Sequence, residues 1–339
     1  MKIAHIHVWD KKNKGDHAIV LAVQELLKDN LPKVEIKDFP VETLKKITAA
    51  NLKKINACDL VVIGGGGIYY SWFMPFDTAV IKKIKTPIVT FGVGYIREIG
   101  SRKLSPAEKN SIKTLNQTAR LVSVRDYYTK SFLTKAGVSE KKINIIGDPA
   151  VFLKEKKIKN LKLKKKINIG LNLNYSGWLG FGKYEENIID SYNDVIDYFS
   201  KKYNADFYYL LHHPDEKRIL KKLKLKNPKI IDLPPGQQKY FYSQLDLIIG
   251  MMLHSVVLSF GANTPEINVA YDIRNKNFAK FIHCPELAIY SSKLKKGQLL
   301  KTAKMVMKNK EKYKEKFSKR KESIWQKHQD FISEIKKIT

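Results

Sequence analysis

An arginine and a histidine follow short apolar runs at two points where strands are expected to end. Arg125 comes after residues 121–124, and its planar guanidinium suits a carboxylate or a phosphate, which it can hold through two hydrogen bonds. An ion pair with the neighbouring Asp126 is the alternative interpretation. His254 comes shortly after residues 245–250, so we interpret it as a site residue rather than as a buried core histidine.

Six glycines follow two further apolar runs. Residues 60–63 are followed by Gly64, Gly65, Gly66 and Gly67, and residues 87–91 are followed by Gly92 and Gly94. Glycine is costly in chain entropy, and it lets a ligand approach the backbone closely. A steep turn without a ligand is the alternative. Because neither spacing matches a dinucleotide-binding fingerprint or a phosphate-binding loop with its lysine, we predict no nucleotide cofactor.

The segment Asn13-Lys14-Gly15-Asp16 lies between the first expected strand and its helix. Gly15 permits a tight turn, and Asp16 is well placed to cap the helix. A helix N-terminus also exposes backbone donors. A contact with a hydroxyl of an acceptor molecule is therefore the functional alternative.

Asn172 and His213 stand at the ends of expected strands in the second half of the chain. The adjacent His212 and His213 cannot share one face of a strand, so at most one of them faces a ligand. No other cysteine or histidine cluster is spaced to complete a zinc-type ligand set. We therefore predict no metal site.

Apolar runs alternate with amphipathic helical stretches, which indicates buried parallel sheets. Strands are predicted at residues 3–9, 34–39, 60–63, 87–91, 121–124 and 143–146, and then at 167–173, 206–212, 230–233, 245–250 and 267–270. Helices are predicted at residues 16–30, 127–136, 186–203, 217–224 and 254–261. The pattern predicts an α/β fold of two doubly wound domains that face each other across a cleft.

The predicted domain organisation has four segments. Residues 1–153 form an N-terminal Rossmann-like domain, 154–166 a lysine-dense linker, 167–292 a second Rossmann-like domain and 293–339 a basic helical tail. The tail carries 16 basic and 5 acidic residues. It is interpreted either as a solvated helix packed across both domains or as a surface that attracts anionic lipid or a polyanionic glycan.

The composition limits the classes of protein further. The chain has 339 residues, more than one comfortable core holds, and its hydrophobic share of 43% excludes a disordered chain. Two cysteines make no disulfide framework and indicate a reducing compartment. The net charge of +30 admits nucleic acid, an anionic membrane or a lysine-biased proteome, but no nucleic-acid-binding motif accompanies it. We expect a cytoplasmic protein, peripheral at the inner face of the membrane, with no specific nucleic-acid partner.

Taken together, the motifs resemble the polysaccharide pyruvyl transferase family. The resemblance runs from about residue 3 to residue 280, and it rests on the order and spacing of the motifs. They are Asn13-x-Gly15-Asp16, Asp59 to Gly67, Phe91-Gly92-x-Gly94, Ser123-Val124-Arg125-Asp126, Gly147-Asp148-Pro149-Ala150, Leu253-His254-Ser255 and Pro265 with Tyr271-Asp272. The resemblance implies two GT-B-like domains and the transfer of a pyruvyl unit from phosphoenolpyruvate to two hydroxyls of one sugar, which releases phosphate.

The resemblance also implies roles for single residues. Arg125 matches the arginine of the family's donor site, whereas Met252 stands in place of the first residue of its Arg-Leu-His motif. Either another cation substitutes for that arginine, or this branch binds a different donor. The candidate donor-binding residues are Arg97, Arg125, Leu253, Ser255, Arg274 and Lys276. The acceptor-side candidates are Asn13, Gly15, Gly64, Gly65, Gly66, Gly67, Gly92, Gly94, Asn172 and His213.

The chemistry that follows makes His254 the general acid, because a histidine suits proton transfer near neutral pH. Asp16 is the second catalytic candidate, on the acceptor side. The expected partners are phosphoenolpyruvate as co-substrate and a sugar acceptor that is free or lipid-linked, with no cofactor. Two alternatives stay open: a GT-B glycosyltransferase with a nucleotide-sugar or other anionic donor, and a non-catalytic relative.

Overall fold

A computed structural model describes residues 1–70, 76–97, 102–174 and 181–339. The chain forms two compact units. Unit 1 consists of Met1–Lys11, Ile19–Phe152 and Ser323–Thr339, and unit 2 consists of Lys12–Ala18 and Leu153–Glu322.

Unit 1 contains a sheet of six strands whose neighbours all pair in parallel. The strands are β1 Lys2–His7, β2 Glu35–Pro40, β3 Leu60–Tyr70, β4 Ile88–Ile96, β5 Leu121–Val124 and β6 Ile143–Ile145. The helices between them are α1 Lys14–Asn30, α2 Ala49–Asn56, α3 Thr78–Lys83, α4 Pro106–Thr118 and α5 Tyr127–Lys135. The order is β2-β1-β3-β4-β5-β6, so the direction of strand addition reverses between β1 and β3.

The glycine run after residue 63 lies within a strand, so the expectation that the strand ends before it is wrong. β3 continues to Tyr70, and Gly64 and Gly66 remain paired with Phe91 and Val93 of β4. Gly64 and Gly66 have φ of 144° and 90°, which are backbone angles that residues with a side chain rarely adopt. Glycine therefore lets this irregular backbone stay in the sheet. β4 likewise runs through its two glycines to Ile96.

Unit 2 contains a second parallel sheet of six strands, in the order β12-β11-β10-β7-β8-β9. They are β7 Asn168–Asn172, β8 Asp206–Leu210, β9 Lys229–Ile231, β10 Leu247–Gly250, β11 Glu266–Ala270 and β12 Ala288–Tyr290. The helices are α6 Phe181–Tyr203, α7 Lys217–Leu220, α8 Pro235–Tyr242, α9 Leu253–Gly261, α10 Ile273–Phe281, α11 Gln298–Lys308 and α12 Lys310–Ile338. The sequence did not predict β12, because three residues carry too little periodicity. The strand order reverses between β7 and β10.

The two parallel sheets confirm the predicted α/β class, and α11 and α12 confirm the helical tail. Part of the tail belongs to the core of unit 1. His328 packs against Phe91 and Phe152, with ring centroids 6.0 Å and 4.9 Å away. Burial lowers the pKa of His328 to about 4. No helix in the described part of the chain is both long enough and apolar enough to cross a lipid bilayer.

Candidate functional site

In unit 2, the imidazole of His254 lies directly against the backbone of Gly15. A β-carbon at Gly15 would come within 2.1 Å of Nδ1 of His254, so a larger residue would displace the ring. The amide of Lys14 donates to the carbonyl oxygen of His212 at 3.0 Å, which holds the start of α1 beside the end of β8. The structure thus joins two predicted site segments that are far apart in the sequence.

Asn13, rather than Asp16, caps α1. The Asn13 Oδ1 accepts hydrogen bonds from the amides of Gly15 and Asp16 at 3.0 Å and 3.4 Å. The expected capping role of Asp16 is wrong, because the helix begins at Lys14 and Asp16 lies inside its first turn. An acidic side chain there still interacts favourably with the helix dipole.

Asn172 ends β7, one of the two strands between which the order of this sheet reverses. Ligands of such sheets bind beyond the carboxyl ends of the strands at this point. The buried Asn172 accepts a hydrogen bond from the amide of Met252 at 2.9 Å and donates one to Oε2 of Glu216 at 3.0 Å. Its side chain therefore positions the turn that precedes His254.

Glu216 is a fully buried carboxyl beneath this turn. It accepts hydrogen bonds from the amides of His212 and His213 at 3.1 Å and 2.9 Å. Burial raises the pKa of Glu216 well above its usual range. Of the two histidines, His213 is the more exposed, and its Nδ1 accepts from the amide of Asp215 at 3.3 Å.

Lys14 is the cation next to Gly15 in the chain, and sequence analysis gave it no role. Its Nζ donates to Oδ1 of Asp232 at 2.6 Å and to Oε1 of Gln238 at 3.0 Å. Burial lowers the pKa of Lys14, and the charge of Asp232 opposes that shift. Its place in the Asn13–Asp16 motif was the available signal, but the distant partners that hold the ammonium were not visible in the sequence.

His212 lies buried behind Lys14 and His254. Its Nε2 shares a hydrogen bond of 2.6 Å with the hydroxyl of Tyr242. Burial first, and then the charges of His254 and Lys14, lower the pKa of His212 well below its usual value.

The helix that carries His254 is α9. Its N-cap residue is Met252, whose side chain makes no capping hydrogen bond among the described residues. By contrast, Asp126 caps α5 and Asp272 caps α10. Ser255 is buried and donates its hydroxyl hydrogen bond to the carbonyl of Met252 at 2.7 Å, so it stabilises the first turn. Leu253 is buried in the same turn.

Arg274 and Lys276 both have partners within unit 2. Nε of Arg274 donates to Oδ2 of Asp272 at 2.6 Å, and its side chain is 13% exposed. Another guanidinium nitrogen donates to the hydroxyl of Tyr271 at 3.2 Å. The Lys276 ammonium lies 5.1 Å from the centre of the Tyr290 ring. Arg274 is therefore paired with a carboxylate, whereas Lys276 lies beside an aromatic ring.

In unit 1, the guanidinium of Arg125 is buried rather than projected from the strand end. Its Nε lies 3.5 Å from Oδ2 of Asp126, and another nitrogen lies 3.4 Å from Oδ2 of Asp148. A β-carbon at Gly94 would come within 2.3 Å of Nε, so this glycine makes room for the arginine. The third nitrogen is buried and has no hydrogen-bond partner in the described ranges.

The other glycines of unit 1 make room for protein atoms in the same way. A β-carbon at Gly65 would lie 2.6 Å from Ile19, at Gly67 2.0 Å from Ile96, and at Gly92 2.6 Å from Pro149. These contacts give the glycines a packing role.

Arg97 follows β4 and lines a cavity of about 270 Å³ in unit 1. The other basic residues around this cavity are Lys103, Lys109 and Lys135, and Tyr95, Tyr128 and Phe132 form part of its wall. The rings of Tyr95 and Phe132 stack with centroids 3.8 Å apart. The cavity is therefore both basic and aromatic.

Several solved structures share the fold of this chain. S. aureus MnaA in a co-structure with UDP is 14% identical, with a TM-score of 0.60 over 94% of this chain and 90% of that chain. A Neisseria meningitidis UDP-GlcNAc 2-epimerase bound to UDP-GlcNAc is 14% identical, with a TM-score of 0.57 over 94% of each chain. Anabaena Alr3699/HepE in complex with UDP and glucose is 12% identical, with a TM-score of 0.56 over 99% and 98%. The likeness shows a GT-B-like α/β fold.

The sequence itself matches a family model. No curated protein matches the chain significantly. The model described as polysaccharide pyruvyl transferase matches residues 13–273, which include Gly15, Arg125 and His254. This span is well over half of the 339 residues. The chain therefore belongs to the polysaccharide pyruvyl transferase family, a family of transferase enzymes.

Proposed function

We propose that the protein transfers the pyruvyl group of phosphoenolpyruvate to a sugar of a cell-surface glycan or its precursor, with His254 as the general acid. The observation that carries this proposal is the contact of His254 with Gly15, since it unites two motifs within the family match. Both residues lie in unit 2, where His254 follows the strand at the reversal of the sheet. This is the position at which α/β sheets bind ligands.

In the proposed reaction, His254 donates a proton to the methylene carbon of the enol. The carbon that bears the phosphate then becomes electrophilic, and one sugar hydroxyl forms a bond to it. The proton of that hydroxyl returns to His254. A second hydroxyl of the same sugar displaces phosphate, which leaves with the second hydroxyl proton, and the ketal closes. General acid catalysis of this kind contributes roughly 10²–10⁴-fold to a rate.

The donor needs cationic or amide partners, because it carries a carboxylate and a phosphate. Lys14 supports this role, since it directly precedes Gly15 in the chain and its partner Asp232 is 55% exposed, which permits exchange of that contact for a ligand. The start of α9 also suits a phosphate, because Met252 provides no side-chain cap. We propose that Lys14 and the start of α9 bind the anionic donor in place of the family arginine, at whose position this chain has Met252.

A nucleotide-sugar donor is the competing function. The observation that favours it is the likeness of fold to structures whose titles record UDP or UDP-GlcNAc. At 12–14% identity this likeness extends to the fold alone. UDP is therefore the comparator in the test.

The test begins with thermal unfolding of the full chain in the presence of phosphoenolpyruvate or UDP. A ligand that binds only the folded state stabilises it by about 2.7 kcal/mol at roughly 100 times its Kd. We expect phosphoenolpyruvate to raise the melting temperature and UDP to leave it unchanged. Stabilisation by UDP alone would overturn the proposed donor.

Phosphate release with sugar acceptors then tests the role of His254. His254→Asn should abolish turnover while stabilisation by phosphoenolpyruvate persists, and His283→Asn, at an exposed histidine of unit 2, serves as the control. Lys14→Met should weaken donor binding about tenfold or more, because it removes a charge-assisted hydrogen bond. Lys217→Met, at an exposed lysine of α7, should not. Near-parental turnover of His254→Asn would refute the assignment.

A further inference from the structure

Two histidines and an aspartate converge in unit 1, and none of the three has a role in the function proposed above. His5 and His7 are two residues apart on β1, so their side chains lie on one face of the strand. Asp38 of β2 stands opposite His5 in the parallel register. Its Oδ1 lies 3.0 Å from Nε2 of His7 and 3.9 Å from Nδ1 of His5. The three ligand-type atoms all lie within 4.8 Å of one another.

The other nitrogen of each ring contacts a backbone carbonyl. Nε2 of His5 lies 2.5 Å from the carbonyl oxygen of Gly64, and Nδ1 of His7 lies 2.8 Å from that of Val8. A carbonyl oxygen only accepts, so the His5 ring must donate its N–H there, and His7 does so in its Nδ1–H tautomer. In the neutral rings, the nitrogens that face Asp38 then carry lone pairs. Metal-binding histidines show this pattern, because a hydrogen bond from the second nitrogen fixes tautomer and orientation.

The three atoms that converge are hydrogen-bond acceptors, and few N–H donors reach them. Nε2 of Gln24 donates to Oδ1 of Asp38 at 2.6 Å and reaches Nδ1 of His5 at 3.4 Å. In the Nδ1–H tautomer of His7, the contact of 3.0 Å between its Nε2 and Asp38 has no hydrogen in it. A proton on His7 or a cation among the three groups removes this conflict. A half-turn of the Gln24 amide would also offer its oxygen as a fourth ligand.

We propose that His5, His7 and Asp38 form a binding site for a divalent first-row transition metal, with Zn²⁺ as the reference ion. Two imidazole nitrogens and one carboxylate oxygen select such metals, whereas Mg²⁺ and Ca²⁺ prefer oxygen ligands alone. Ligand bonds of about 2.0–2.2 Å place neighbouring ligand atoms of a tetrahedral site roughly 3.3 Å apart. The observed separations of 3.0 Å and 3.9 Å bracket that value.

The site has a buried side and an open side. His5 and His7 are buried, and the Asp38 side chain is 38% exposed. The site lies beside the point where the sheet of unit 1 reverses, since β1 is one of the two strands there. With three protein ligands, a tetrahedral metal keeps one position for water or an oxygen ligand. Trp9, which is 47% exposed, stacks on His7 with centroids 5.1 Å apart, so it lies next to one of the proposed ligands.

The test is titration of the metal-stripped full chain with Zn²⁺ by calorimetry and with Co²⁺ by visible absorption. We expect one equivalent to bind and Co²⁺ to develop the d–d absorption of a nitrogen–oxygen site. Asp38→Asn and His7→Gln should each weaken binding at least tenfold, whereas His283→Asn should not change it. Asp38→Asn preserves the shape of a part-exposed side chain, so it separates lost ligation from lost folding.

Quenching of tryptophan fluorescence locates the metal. Co²⁺ bound at His7 should quench Trp9, and the quenching should largely disappear in Trp9→Phe while the Co²⁺ absorption remains. Equal metal uptake by the parent chain and Asp38→Asn, or no stoichiometric uptake by the parent chain, would overturn the proposal. These readouts require no turnover, so they stand apart from the test of the transferase function.

Discussion

The imidazole of His254 rests on Gly15 so closely that a β-carbon at residue 15 would lie 2.1 Å from its Nδ1. Gly15 belongs to the first turn of α1, and His254 belongs to the first turn of α9. The contact thus joins two helix starts, and the absence of a side chain at Gly15 sets where the ring can lie. Both segments belong to the same compact unit.

Gly15→Ala should misplace His254 while the chain still folds. A shift of about 1 Å in a catalytic group can cost roughly 100-fold in rate, so we expect phosphate release to fall by about that factor. The NMR chemical shifts of the His254 ring should change as well. Gly297→Asn is the matched control, because a β-carbon there meets no atom within 4 Å and asparagine tolerates its φ of 71°. Unchanged turnover and unchanged chemical shifts of the ring would contradict a positioning role for Gly15.

Arg125→Met should destabilise the fold, because it leaves Asp126 and Asp148 buried without their cation. Removal of one partner from a buried ion pair costs about 3–5 kcal/mol, and we expect a decrease in the free energy of unfolding near the lower limit. Urea denaturation measures it. Arg218→Met, at a side chain that is 78% exposed, should change stability by less than about 0.5 kcal/mol. Equal stability of both variants would contradict a stabilising role for Arg125 and would leave ligand binding as its role.

The stability of unit 1 should fall as the pH decreases from about 6.5 to about 4. The pKa of buried His328 is lowered to about 4 from 6.5, so the unfolded chain binds a proton in this window and the folded chain does not. At about 1.4 kcal/mol for each pKa unit, the loss amounts to roughly 3 kcal/mol. Above about pH 6.5, both states are neutral and the effect disappears.

His328→Phe removes that proton uptake and keeps a ring against Phe91 and Phe152. Urea unfolding at a series of pH values should therefore show a weaker acid dependence for this variant than for the parent chain. His283→Asn should retain the parental dependence. Burial also lowers the pKa of His5, to about 3, so part of the acid sensitivity should remain in every variant. Parallel curves for His328→Phe and the parent would refute the assignment to this ring.

Periodicity in the sequence was sufficient to predict the α/β class and eleven of the twelve strands in the part of the chain that the structure describes. Strands such as β10 and the first four residues of β3 are apolar on both faces, because helices cover both sides of a parallel sheet, and this pattern needs no distant information. The strand ends were less predictable. β3 passes through four glycines, since Gly64 and Gly66 adopt left-handed backbone angles that keep it paired with β4. Glycine in a sequence indicates freedom of the backbone and does not say how that freedom is used.

The sequence alone determined which residue types stand at the strand ends and that their order matches one transferase family. Tertiary structure decided their partners. The ring of His254 lies against Gly15, the ammonium of Lys14 donates to Asp232, and the buried guanidinium of Arg125 pairs with two carboxylates. His5, His7 and Asp38 meet only because β1 and β2 pair in one register. Local preferences act over a few residues, whereas these contacts join segments whose approach is set by the packing of whole sheets and helices.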